Sequence, residues 1–188
     1  MFWNRHFNET EHAFVHRFFA HSLAALQPRL RVYLRRVGDT HRALSLNGGR
    51  IYMPRACFVD GDPTRSLRLS HPYVAGVFAH ELLHQWQRVR GVAVTRQAAW
   101  LQTKAVCLRR DPYAYEACDD AALMLARFVS AQVEQQGQMW QDYVTGCVAG
   151  HADPAFAEVA AYVAGSPVVD APGAAVSAVI PPGNSSRW

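Results

Sequence analysis

Apolar and polar residues repeat with two different periods along this chain, and each change of period marks an element. Asn8 followed by Glu11 predicts a capped helix start, and Phe14, Val15, Phe18, Phe19, Leu23 and Leu26 then recur at helical spacing up to Pro28. Leu30 to Val37 alternates in part, with Leu30, Val32 and Leu34 set against Arg31 and Arg35, which suits a half-buried strand. Ala43 to Leu46, then Asn47-Gly48-Gly49, then Arg50 to Met53 predict a β-hairpin, because Asn-Gly supplies the positive φ of a tight turn. Pro54 lacks a ladder donor, so the second hairpin strand is expected to end there or to lie at a sheet edge, where an extended peptide could pair with it.

Beyond the loop at Asp60 to Thr64, a helix is expected from near Pro72 to about Arg90, stopped by Gly91. Thr95 to Arg109, with Trp100, Leu101 and Val106, predicts another. Asp111-Pro112 is a helix-start pair, and the following stretch is apolar on most faces as far as Val129, which predicts a buried helix. Asp142-Tyr143, His151 and Pro154 to Gly165 suggest one or two short closing helices. Residues 166–188, rich in Pro, Gly, Ala and Ser, are expected to form an extended, poorly packed tail. The expected architecture is α+β: one mostly helical domain over residues 1–165, with a small antiparallel sheet ahead of the helix at Pro72.

Composition narrows this little further. The chain has 188 residues, half of them hydrophobic, which is enough for one proper core. Its net charge of +4 is spread along the chain and calls for no nucleic-acid partner. No apolar run is long enough to span a membrane, and the start has no signal-peptide core; the expectation is either a cytoplasmic location or export by another route. Cys57, Cys107, Cys118 and Cys147 contain no Cys-x-x-Cys and allow two disulfides, with buried free thiols the simpler expectation.

The chemistry concentrates in Val77 to Gln87. Within it, His80-Glu81-Leu82-Leu83-His84 places two imidazoles about 40° apart on a helix, with Glu81 about 100° from His80. The apolar Ala75, Phe78, Ala79, Leu82, Leu83 and Trp86 occupy the opposite arc. Such a helix packs on one side and can hold a metal on the other, with Glu81 as general base. His12 and His16 share the spacing but lack a Glu after the first His, and read as solvated. Catalytic zinc takes three protein ligands and keeps one position open, so a third must come from elsewhere. Glu116 is the choice, because it sits near the start of the expected buried helix; Asp119, Asp120 and His151 are the alternatives. Asp120, one turn on from Glu116, could accept the outer N–H of a ligand histidine.

His80-Glu-Leu-Leu-His84 followed by Glu116-x-x-x-Asp120 resembles the gluzincin arrangement of zinc metallopeptidases. Asp111-Pro-Tyr-Ala-Tyr-Glu-Ala-Cys-Asp-Asp-Ala-Ala is similar to a helix of small bacterial zincin domains, some carried as toxin domains on secretion machinery; Cys118 interrupts that pattern, leaving Asp119 and Asp120 as alternatives for the supporting carboxylate. The resemblance covers about residues 71–130. It implies a zincin-like fold and a zinc metalloendopeptidase acting on a protein or peptide, with Zn2+ on His80, His84 and Glu116 and with Glu81 as general base, then acid. It also implies an oxyanion donor, for which Tyr113, Tyr115, Tyr143 and His151 are candidates, and a toxin or effector setting within a larger secreted chain or under a neutralising partner. A nucleic-acid-associated SprT-like protease would fit His80 to Gln87, but the missing Cys-x-x-Cys and modest charge speak against it. A non-catalytic zincin-like binding domain is the third expectation.

Overall fold

A computed structural model describes residues 3–97, 111 and 113–165. The first helix, α1 (Glu9–Phe19), starts as expected: the Asn8 side chain accepts from the Glu11 amide at 3.1 Å, and the Glu11 carboxylate accepts from the Asn8 amide at 3.0 Å. It ends well before Pro28. Ala20, at φ 43°, turns the chain, and Leu23 enters the core from the turns that follow.

The sheet has four strands, β1 (Asn4–His6), β2 (Arg31–Leu34), β3 (Leu44–Leu46) and β4 (Arg50–Met53), in the order β1-β2-β4-β3. β1 pairs antiparallel with β2, and β3 with β4, but β2 and β4 run parallel. The sheet is therefore mixed, not antiparallel throughout. Register puts Val32 beside Ile51 and Leu34 beside Met53 on the buried face, with Tyr33 stacked on Tyr52 at 4.7 Å on the other. β4 ends before Pro54 as expected, but it is an inner strand; the edge beside the hairpin belongs to β3. Gly49, at φ 80°, lets the hairpin turn pass against the backbone of Arg29, where a Cβ would sit 2.7 Å from the carbonyl oxygen.

The central helix α2 (Pro72–Val89) matches its expected bounds, and Gly91 at φ 82° follows its end. Gln85 and Arg88 tie it to β3: Gln85 donates to the Leu46 carbonyl at 2.8 Å and Arg88 to the Ser45 carbonyl at 2.8 Å. α3 (Ala121–Ser130) begins about ten residues later than the Asp111-Pro112 pair suggests. Two aspartates account for the delay, since Asp111 holds the Tyr113 amide at 2.9 Å in a turn and Asp120 caps α3 through the Leu123 amide at 2.7 Å. Nor is this helix buried all round: Met124 and Phe128 are inside, while Leu123 and Val129 are exposed.

α4 (Val133–Ala149) packs along α2, and α5 (Ala157–Ala164) closes the core after a turn at Pro154–Phe156. Phe78 of α2 meets Phe7 and Phe14, Phe19 of α1 meets Trp140 of α4, and Trp86 of α2 donates to the Val163 carbonyl at 3.0 Å. These contacts join sheet and helices in one α+β core. Among the described residues no helix is long and apolar enough to cross a membrane. Cys57, Cys118 and Cys147 are free thiols. The helix expected within Thr95 to Arg109 falls mostly, and Cys107 and the tail from 166 fall wholly, outside the described residues.

Candidate metal centre

Two helices build the site. α2 contributes His80, Glu81 and His84 from the face turned toward α4, and α4 contributes Glu134 from its first turn. The helices can approach because both are thinned by glycine. A Cβ on Gly76 would lie 3.0 Å from the Gln141 carbonyl oxygen, and one on Gly137 would lie 2.6 Å from Cε1 of His80. Gly137 thus leaves the volume that the His80 imidazole fills.

The ligand-type atoms of His80, His84 and Glu134 all lie within 4.8 Å of one another, and all three residues are buried. Oε2 of Glu134 stands 3.3 Å from Nε2 of His80 and 3.6 Å from Nε2 of His84. Donors around a tetrahedral zinc with arms of 2.0–2.1 Å are spaced by about 3.3 Å, and the two distances from Glu134 are close to that. The two imidazole rings meet edge to face at 4.8 Å.

The electrostatics follow from burial among few partners. Burial alone would raise the Glu134 carboxyl, yet the two histidines outweigh it and hold the group well below the usual carboxylate range. Burial alone would lower His84, but contact with Glu134 and the charges of Glu81 and Glu134 raise it. Burial pushes Glu81 up, against the lowering influence of His80 and His84. His84 has an outer partner, with Nδ1 at 2.8 Å from Oε1 of Gln87, whereas Nδ1 of His80 is buried and has none among the described residues.

Glu116, the expected third ligand, does not join this group. Its side chain is 90% exposed and lies 3.5 Å from Arg127, because the segment before α3 is not helical. Asp120 does not back a histidine; its carboxylate is engaged as the α3 cap, and Asp119 is exposed. Glu134 stands where Glu116 was expected, and the outer acceptor is Gln87. Signals for Glu134 existed in the apolar spacing Val133, Gly137, Trp140, Val144 and in Gln135, whose side chain takes the Gln132 amide at 3.1 Å.

The four hydroxyl or imidazole candidates separate clearly. Tyr113 lies beside the cluster, its ring 6.2 Å from that of His80. Its hydroxyl accepts from Arg42 at 2.6 Å, and burial together with Glu134 raises its pKa, keeping the phenol protonated. Tyr115 donates to Asp142 at 2.8 Å, Tyr143 stacks on Phe156 at 5.5 Å, and His151 is exposed beyond the end of α4. An open groove of about 440 Å³ lined by Asp111, Tyr113, Ala114, Tyr115 and Gln138 runs past Tyr113. No protein-family model, curated protein or solved structure matches the chain.

Proposed function

We propose that the chain is a zinc-dependent hydrolase of peptide bonds, with the ion held by His80, His84 and Glu134. The observation that carries the reading is a buried donor set of two imidazoles and a carboxylate gathered within 4.8 Å, with a further carboxylate, Glu81, in the same helix face. Zinc, when bound there, would acidify a water and polarise a carbonyl. In this reading Glu81 accepts the proton of the attacking water and returns it to the leaving amine. No described residue donates a hydrogen bond to its carboxylate, which leaves it available for that exchange. Tyr113, protonated and held by Arg42, is the donor for the developing oxyanion. In this reading an extended substrate lies along the groove lined by Tyr113, whose ring stands 6.2 Å from that of His80.

The test is the pair Glu81→Gln and wild type, each loaded with zinc and offered unfolded casein. The variant should retain the ion and lose cleavage. Equal cleavage by both would remove Glu81 from the mechanism, and zinc binding without cleavage by the wild type would favour a non-catalytic metal-binding domain.

A further inference from the structure

Gln87 is fully buried, one turn beyond His84 on α2, and its side-chain hydrogen bonds go to the site and to α4. Its Nε2 lies 3.1 Å from the Val133 carbonyl and 2.8 Å from Oε1 of Gln136. Gln136 in turn donates from its own Nε2 to the Phe128 carbonyl at 2.8 Å. Backbone carbonyls only accept, so the carbonyls of Phe128 and Val133 settle which way round both amides lie. The amide NH2 of Gln87 faces α4, and its Oε1 faces Nδ1 of His84 at 2.8 Å. An oxygen acceptor there requires the proton on Nδ1. In the neutral imidazole, Nε2 of His84 then carries the lone pair, toward the Glu134 carboxylate 3.6 Å away. Two acceptors facing each other leave a place for a cation between them.

We propose that Gln87 is a positioning residue for the metal centre: it fixes His84 as the Nδ1–H tautomer, keeps Nε2 as the ion-facing donor, and joins the helix carrying both histidines to the start of the helix carrying Glu134. The ligand role of His84 rests on the zinc reading above, but the tautomer does not. A glutamine suits this place because one side chain supplies both an acceptor for the imidazole and a donor for the neighbouring helix. The outer hydrogen bond of His84 is thereby coupled to the α2–α4 packing that brings Glu134 within reach.

The test has two arms. Imidazole 15N shifts of metal-free wild-type protein, recorded at a pH where His84 is neutral, should show the Nδ1–H form, and Gln87→Leu should move His84 toward the Nε2–H form that free imidazole side chains favour. Zinc affinity, read by competition with a chromophoric chelator, should fall by about 10–100-fold in Gln87→Leu. Gln136→Leu keeps the Gln87 acceptor and should lose less, which separates an effect on His84 from a loss of helix packing. An Nε2–H wild type, or Gln87→Leu with unchanged zinc affinity, would overturn the proposal. If the wild type binds no zinc, the metal reading fails, and the tautomer alone then decides whether Gln87 sets His84.

Discussion

Glu11 and Glu134 are both buried carboxylates near the start of a helix, and they are satisfied in opposite ways. Glu11 receives Arg5 through two contacts at 2.5 and 2.6 Å, the Asn8 amide at 3.0 Å and the Leu67 amide at 3.1 Å. Every lone pair it needs to fill is met by a donor that cannot leave, so the residue ties β1, α1 and the loop before α2 together. Glu134 faces two imidazoles at 3.3 and 3.6 Å. A buried carboxylate with four fixed donors is a structural joint. One whose neighbours are themselves metal-ligating groups is a candidate ligand.

If this contrast is right, removing each group has a different consequence. Glu11→Ala takes the carboxylate from a partly buried guanidinium and from two backbone amides, and should cost about 3 kcal/mol in urea denaturation; a loss under 1 kcal/mol would mean that the joint is not structural. Gly137→Ala gains about 0.5–1 kcal/mol of helix propensity but forces a methyl against the His80 ring, an overpacking cost of about 1–3 kcal/mol. It should therefore destabilise slightly and weaken zinc binding strongly; unchanged zinc affinity would show that the ring has room to move.

The metal-free protein provides a pH test of Glu134. Its folded-state pKa is depressed below the ordinary 4.5, so its stabilising effect is full above about 4.5 and fades as pH falls further. His84 is raised above the ordinary 6.5, so its contribution is full below about 6.5 and is lost as pH rises through the raised value. With a chelator present, wild type should thus exceed Glu134→Gln in stability most clearly between about pH 4.5 and 6.5, with the gap narrowing on either side. A gap independent of pH would place the effect in packing instead of charge. The smallest change is expected at Glu116, where an exposed pair with Arg127 makes Glu116→Gln neutral to within about 0.5 kcal/mol and without effect on zinc.

What could be read before folding was what depends on neighbours in sequence. The Asn8–Glu11 box, the Asn47-Gly48-Gly49 turn, the limits of α2 and the shared face of His80, Glu81 and His84 are all local, and each has its expected form. Glu134 was not legible in the same way, because its approach to the histidines depends on α2 and α4 packing across Gly76 and Gly137. A single helix over Asp111 to Val129 would place Glu116 near its start, within the buried element. Asp120 carried the contrary signal, since an aspartate ahead of Ala121-Ala-Leu-Met is as good a cap as Asp111 before Pro112. The sheet order likewise needed tertiary information, as nothing in the alternation of Arg31 to Leu34 says that it pairs parallel with Arg50 to Met53.

The proposed metal centre is completed by α4 and not by the segment before α3. Wild type, Glu134→Gln and Glu116→Gln should be dialysed together against limiting zinc and their metal content measured by mass spectrometry. About one zinc per chain is expected in wild type and Glu116→Gln, and little in Glu134→Gln. Zinc retained by Glu134→Gln and lost from Glu116→Gln would contradict it.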